Sequence, residues 1–191
     1  MGVGLTSFDW NTWNTYNGNC AITPCGYTNE FGNFSGVRAI RIQSLEKILY
    51  ANRWRGFENP FGDIWINLEG IIIKRDVAKA NSNVYTTTDI SKYGEDYSFF
   101  DIAGVEIAQD GWAEIFDLGS KAEIIPSSVN GSESTYKCDY HWCNADSVEK
   151  RALIVGGRAT KGSEAGLGCF GSNNGVDDAN ADVGFRTVVR A

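Results

Sequence analysis

Apolar and polar positions alternate along much of this chain with the two-residue period that is typical of β-strands. Alternation, or short apolar and β-branched runs, predict strands at residues 64–68, 71–74, 83–87, 97–102, 112–116, 152–155 and 185–189. Residues 130–134 have the composition of a turn. The pattern predicts a single strand- and loop-rich α+β domain with few short helices.

The segment before residue 51 contains a pattern typical of a strand and a pattern typical of a helix. Val37, Ile40 and Ile42 favour a strand, and residues 44–49 then predict a short helix with Ser44 as its N-cap. Residues 1–35 are rich in Asn, Gly, Thr and aromatic residues and have no helical period. We expect this first segment to dock on the domain of residues 36–191 or to serve as an assembly arm.

Residues 156–174 are dominated by Gly, Ser and Asn and follow the apolar strand at 152–155. Such short side chains contribute little to a hydrophobic core, so backbone and small polar groups are held between two strands. This composition predicts a recognition surface.

Bulk composition narrows the class of protein. The 191 residues are 42% hydrophobic and 13% aromatic, as in globular chains, and the net charge of -7 disfavours a nucleic-acid partner. No apolar run is long enough to cross a bilayer, and residues 1–6 lack the basic and apolar regions of a signal peptide. We therefore expect neither membrane insertion nor secretion through a signal peptide.

The cysteines leave more than one interpretation open. An odd number without a signal sequence favours reduced thiols and synthesis inside the cell. Two Cys-x4-Cys pairs have a spacing that zinc ligands also use, whereas buried thiols or one disulfide explain the same residues. We expect no metal and no cofactor. The five are Cys20, Cys25, Cys138, Cys143 and Cys169.

The most specific motif is Trp-Arg-Gly-Phe-Glu-Asn-Pro-Phe-Gly-Asp-Ile-Trp at residues 54–65. With residues 24–29, 131–140 and 156–186 it resembles, in order and spacing, a C-type-lectin-like domain of the formylglycine-generating-enzyme-like subtype. Such domains occur in phage and prophage proteins of gut Bacteroidetes and in variable proteins of diversity-generating retroelements. The resemblance covers residues 24–190 and implies structural roles for Arg55, Gly56, Glu58, Asn59, Gly62, Trp65, Gly156, Gly157, Gly184, Phe185 and Arg186.

The same resemblance implies a ligand-display region at residues 156–183. In the variable proteins this part of the fold carries substituted positions on a fixed backbone. His141 and Trp142, just before it, are expected to add an aromatic wall with Tyr140. The display positions implied here are Arg158, Thr160, Lys161, Glu164, Gly168, Cys169, Gly171, Val176 and Asp177.

Two acidic motifs invite a calcium interpretation. Glu58 and Asn59 resemble lectin calcium ligands, but the usual lectin triplets are absent. We expect Glu58 to pair with Arg55, and Asn59 to bond to loop backbone. Residues 178–182 alternate like the start of an EF-hand loop, yet no Gly follows and no Glu closes it, so we expect a turn into the last strand.

An enzyme is not expected. His141 is the only histidine, and Cys138, three residues away, points to the opposite face of an extended chain. The paired cysteines that form the copper site of formylglycine-generating enzymes have no counterpart in the segments that resemble them.

The resemblance implies a non-enzymatic, virion-associated protein of a phage. As a head or tail fibre or adhesin, it would bind a host-surface glycan or protein and would be a retroelement-diversified variable protein. The alternative is a structural virion protein, such as a head fibre or capsid decoration, whose lectin-like surface mainly contacts other virion subunits. A homo-oligomer, dimer or trimer, is expected in the virion, or alternatively on the bacterial cell surface.

Overall fold

β-Strands form most of the regular structure in the computed structural model, which describes residues 26–42, 47–75, 81–92, 100–135, 139–144, 146–178, 180 and 182–184. The strands are β1 Gly36–Ile42, β2 Lys47–Trp54, β3 Phe57–Glu58, β4 Trp65–Arg75, β5 Ser82–Thr86, β6 Asp101–Glu106, β7 Gly111–Trp112, β8 Ile115–Leu118, β9 Ile124–Ser128, β10 Tyr140–Cys143, β11 Arg151–Val155, β12 Phe170–Ser172 and β13 Val183–Gly184. Helical backbone within these ranges is limited to 3-10 turns at Asn29–Phe31, Ile90–Lys92 and Ala159–Glu164. None of the helices described is long and apolar enough to span a membrane.

The prediction of a strand- and loop-rich chain is confirmed, and one predicted helix is wrong. Residues 47–49 belong to β2, where they pair antiparallel with residues 40–42 of β1. Pairing in the β1–β2 hairpin therefore overrides the cap signal of Ser44, which itself lies outside the described residues. The predicted strand at 185–189, with Phe185 and Arg186, also lies outside them, as do residues 1–25 of the N-terminal segment.

The larger sheet has eight strands in the order β6-β5-β4-β11-β12-β10-β7, with β13 pairing parallel to the start of β4. β4 joins two predicted strands into one, and Gly70 within it has φ 77°. The register of pairing with β11 shifts there: Leu68 pairs with Leu153, whereas Ile72 pairs with the adjacent residue Ala152. This bulge explains why the sequence pattern breaks at Gly70 although the strand continues.

Apolar residues are buried on both faces of this sheet, because successive side chains of a strand point to opposite sides. Leu153 of β11 joins the main cluster, which comprises Ile73, Val84, Ala103, Ile125, Leu153 and Phe170. The neighbouring Ile154 points the other way and packs with Trp65 and Cys169. The hairpin of β8 and β9 supplies Ile125 to the first face.

The motif at residues 54–65 begins in a smaller sheet of the order β1-β2-β3. Arg55 and Gly56 connect β2 to β3 with φ of 48° and 87°, so both central positions have the positive φ that a type I′ hairpin turn requires. The Gly62 N–H, at the far end of the motif, donates to the carbonyl of Gly156 at 2.9 Å. The motif therefore supports the start of the glycine-rich stretch.

Glu58 and Asn59 hold backbone in place. The Glu58 carboxylate accepts hydrogen bonds from the backbone N–H groups of Gly26 and Thr28 at 2.6 and 2.9 Å. Burial alone would raise the pKa of Glu58, but these bonds outweigh burial and lower it. Asn59 Oδ1 accepts from the Asn52 N–H at 3.2 Å, so it contacts the backbone of β2 and not that of a loop. Arg55 lies with its guanidinium 4.9 Å from the ring centre of Trp54.

Candidate functional site

A pocket of about 220 Å³ lies on the face of the large sheet that carries Ile154. Its wall is formed by the end of β10, the start of β4 and the loops that follow β11 and β12. Two tryptophans, two cations, one acid and three amides contribute to it. The lining residues are Trp65, Trp142, Ile154, Arg158, Lys161, Asn173, Asn174, Asn180, Asp182 and Val183.

Because Gly171 has no side chain, it leaves space for the neighbouring side chains that form this site. It pairs with Trp142 of β10 on one side and with Ile154 of β11 on the other. A Cβ at position 171 would lie 2.8 Å from Ile154 and 3.4 Å from the ring of Trp65. Gly171 therefore allows both apolar side chains to close over the middle of the sheet.

Aromatic rings continue from the pocket along the sheet. Trp65 and Trp142 meet edge to face with ring centres 5.4 Å apart, and Tyr140 lies 4.4 Å from Trp142 on its other side. Trp112 extends the row, 5.2 Å from Tyr140. Tyr140 and Trp142 share a face because they are two residues apart on β10. The predicted aromatic wall is present in these two residues.

Lys161 places a cation against this wall. Its Nζ lies 4.1 Å from the ring centre of Trp142, within the range of a cation–π interaction. The same Nζ lies 3.5 Å from the carboxylate of Glu164, one turn further along the 3-10 turn. Because Glu164 does not line the pocket, the ammonium group is the part of this ion pair that a ligand meets.

Arg158 and Asp182 form the second charged pair. Arg158 Nη1 donates to Asp182 Oδ2, and Asp182 is buried. Asp182 is fixed by its own backbone, because its carbonyl accepts from the Trp65 N–H at 2.8 Å. Arg158 Nε is buried and has no hydrogen-bond partner. One donor of the guanidinium is therefore left unsatisfied beside the pocket.

The loop that carries these cations is held by close backbone packing. Gly156 and Gly157 both have positive φ, which turns the chain away from β11. Asp139 Oδ2 accepts from the Gly168 N–H at 3.0 Å, and a Cβ at Gly166 or Gly168 would collide with the Asp139 carboxylate. Burial raises the pKa of Asp139, and the Gly168 bond offsets part of this shift.

The structure brings together only part of the predicted display set. Arg158, Lys161 and Trp142 line the pocket, and Glu164 pairs with Lys161. Val176 and Asp177 are not among the lining residues. Thr160 lies in the 3-10 turn Ala159–Glu164.

Three display residues are buried instead, which corrects the prediction for them. His141 is 0% exposed, because it points to the face opposite Trp142. Its Nδ1 and Nε2 lie 3.2 and 2.9 Å from the carbonyl oxygens of Phe170 and Ile107. Cys169 is 0% exposed and packs with Trp65, and Gly171 is also buried. These residues shape the sheet beneath the pocket.

Seven lining residues, Ile154 and Val183 among them, were not predicted as ligand contacts. Trp65 was assigned to the structural motif, and Asp182 to a turn. Val183 N–H donates to Asn180 O, so that turn is present and leads into β13 as predicted. Asn173, Asn174 and Asn180 follow or precede short strands, which is the signal that could have identified them.

The cysteine and histidine side chains near this site have pKa values shifted by burial. Burial raises the pKa of the Cys143 thiol to about 12 and also raises that of Cys169, so neither is a ready nucleophile. Burial likewise lowers the pKa of His141, which has no access to the pocket. In the part of the chain that the structure describes, no three His, Cys, Asp or Glu side chains form a metal-binding group.

No family model, no curated protein and no solved structure matches this chain.

Proposed function

We propose that this chain is a non-enzymatic, virion-associated ligand-binding protein of a phage. Its C-type-lectin-like domain presents the pocket around Trp142 and Lys161 to a host-surface glycan or protein. The assignment to a phage rests on the sequence resemblance, above all on residues 54–65. The binding role rests on one observation: three of the display residues proposed from sequence, Arg158, Lys161 and Trp142, line one pocket.

The composition of this pocket suits recognition of a polar, ring-containing ligand. Trp142 offers apolar ring surface, with the buried Trp65 behind it, while Arg158 and the three asparagines offer hydrogen-bond donors. Most of these groups are fixed before a ligand arrives, by the sheet or by ion pairs. A preformed site loses less conformational entropy on binding.

Substitution of one pocket lysine tests this proposal. Lys161→Gln removes the cation above Trp142, so binding of the purified chain to host cells or to a glycan array should fall at least about fivefold. Lys121→Gln is the matched control, since Lys121 also forms a surface ion pair, 2.8 Å from Asp101, and does not line the pocket. Equal binding by both variants would count against the pocket as the binding site.

The virion location has a separate test. An antibody against this chain should decorate intact phage particles from the source bacterium when they are viewed by electron microscopy. Decoration of the bacterial cell surface alone would favour the alternative location. Sequencing of the adjoining DNA for a reverse transcriptase and a near-duplicate of the 3′ end tests the retroelement hypothesis.

A structural role in the virion is the second candidate, and one surface favours it. Val37, Tyr50 and Phe57 on the small sheet are 61%, 62% and 64% exposed, and Phe34 beside them is 80% exposed. Exposed apolar patches often mark protein contacts. If this surface joins subunits, Tyr50→Glu with Phe57→Glu should reduce oligomer mass in analytical ultracentrifugation, whereas Lys161→Gln should not.

A further inference from the structure

Cations outnumber acids among the residues that line the pocket, whereas acids outnumber cations in the whole chain. The chain has a net charge of -7, whereas the pocket is lined by Arg158, Lys161 and Asp182, two cations and one acid. Glu164 compensates Lys161 from outside the lining. An anionic group that enters the pocket therefore meets two cations, Arg158 and Lys161. The net negative charge of the rest of the chain would otherwise repel such a group.

Arg158 provides a directed donor for such a group. Nη1 is used by Asp182, while Nε is buried without a hydrogen-bond partner. A guanidinium donates from a planar fork that matches a carboxylate, and the Arg158 side chain remains 26% exposed beside the pocket.

The remaining lining groups match a sugar ring. Asn173, Asn174 and Asn180 each carry both a donor and an acceptor, which is what vicinal hydroxyls require. Trp142, which is half-buried, supplies apolar surface for the C–H face of a pyranose, whereas Trp65 is buried behind it. The volume of about 220 Å³ is smaller than the pockets of about 300–1,000 Å³ that hold drug-sized molecules, so one sugar residue fits this site better than a longer chain.

We propose that this pocket binds a single carboxylate-bearing sugar residue, such as a uronate or a sialate, with its carboxylate between Arg158 and Lys161. The inference rests on the proposed ligand-binding function and names the ligand class of the same site. Asparagine amides hold the ring hydroxyls, and Trp142 contacts the ring. A free carboxylate shares only the charged part of this recognition.

Matched small ligands test the ligand class directly. Binding of methyl glucuronide, methyl sialoside, methyl glucoside and acetate to the full chain is measured by isothermal titration calorimetry. At least one of the two acidic glycosides should bind about tenfold or more tightly than methyl glucoside, because hydrogen bonds to charged groups are stronger than neutral ones. Acetate should bind more weakly than that acidic glycoside, since it contacts neither the amides nor Trp142.

Variants connect that preference to the two cations. Lys161→Gln should remove most of the difference between acidic and neutral glycoside, and Lys121→Gln should leave it unchanged. Arg158→Lys retains the positive charge opposite Asp182 but loses the planar fork, so it should weaken the acidic glycoside at least about fivefold. Circular dichroism of each variant verifies that it is folded.

The outcomes separate this inference from the proposed function. Equal affinity for methyl glucuronide, methyl sialoside and methyl glucoside overturns the acidic-sugar inference but leaves a glycan-binding pocket. Acetate binding as tight as the acidic glycoside also overturns it, because the site then recognises charge alone. Failure of all four ligands, with host-cell binding that still depends on Lys161, overturns the sugar inference and retains the binding function. Absence of host-cell binding as well overturns both.

Discussion

At the scale of single residues, a buried charged cluster lies on the sheet face opposite the pocket. Arg151 and Glu106 are 2% and 0% exposed in their side chains, and their charged atoms lie 3.6 Å apart. Ser172 donates to Glu106 at 2.8 Å, and Arg151 donates to Ser82 at 2.6 Å. The cluster ties β5, β6, β11 and β12 together, because each of these residues belongs to a different strand.

This cluster predicts a specific pH dependence of stability. Burial raises the pKa of Glu106 to about 7, despite hydrogen bonding to Ser172 and the charge of Arg151. The folded chain then holds a proton that the unfolded chain releases near its ordinary pKa of 4.5. The contribution to stability is complete below pH 4.5 and is lost as the pH rises to about 7.

Glu106→Gln tests this dependence. The unfolding free energy of the wild type minus that of Glu106→Gln, measured by urea denaturation, should decrease by at most about 3 kcal/mol between pH 4.5 and 7.5. Taking the difference cancels the titration of groups that the two proteins share. A difference that stays constant over this range, or increases with pH, would contradict the prediction.

At the scale of elements, the loop after β11 depends on a glycine for both conformation and space. Gly157 has φ 73°, and a Cβ there would lie 2.7 Å from the Cβ of Ala165. Gly32 has φ 52°, but its added Cβ would meet nothing within 4 Å. The two glycines therefore separate backbone strain from steric overlap.

Alanine at each of these glycines measures the two effects. Gly32→Ala should lower the unfolding free energy by about 1–3 kcal/mol, from the strain of a backbone conformation, φ 52° and ψ -120°, that other residues rarely adopt. Gly157→Ala should lower it by about 2–4 kcal/mol, because overpacking against Ala165 is added to that strain. Urea denaturation gives both values. Equal losses would mean that the loop adjusts freely around residue 157.

At the scale of the whole molecule, the two sheets differ in how much they bury. The main apolar cluster draws on β4, β5, β6, β9, β11 and β12. The small sheet contributes Ile40 and Ala51 to buried positions and exposes Val37, Tyr50 and Phe57. Local stability follows buried apolar contact, so the large sheet should open least readily.

Hydrogen exchange followed by mass spectrometry tests this difference. Peptides from β4, β5 and β11 should exchange slowest, at a rate set by global unfolding, whereas peptides from β1 and β2 should exchange faster through local opening. Exchange of β1 and β2 as slow as that of β4 would show that the small sheet unfolds only with the whole molecule.

Local patterns along the chain predicted several elements, and the family resemblance predicted part of the site. β5 and β11 were predicted at 83–87 and 152–155 because alternation and β-branched residues are local properties of a strand. The turn before the last strand was expected from the family resemblance, and the loop after Gly156 from its Gly, Ser and Asn composition. Arg158 and Lys161 were proposed as display positions from the family resemblance.

The sequence by itself determined several of the extended segments and which stretch is poor in core-forming residues. Only the tertiary structure decided that Trp142, rather than His141, faces the pocket. Alternation places the two side chains on opposite faces of the sheet but does not say which face is covered by the core. It also decided that residues 47–49 form a strand, and that Arg158 meets Asp182, 24 positions away. The physical reason is that periodicity is set by neighbouring residues, whereas sheet order and side-chain contacts are set by residues far apart in the chain.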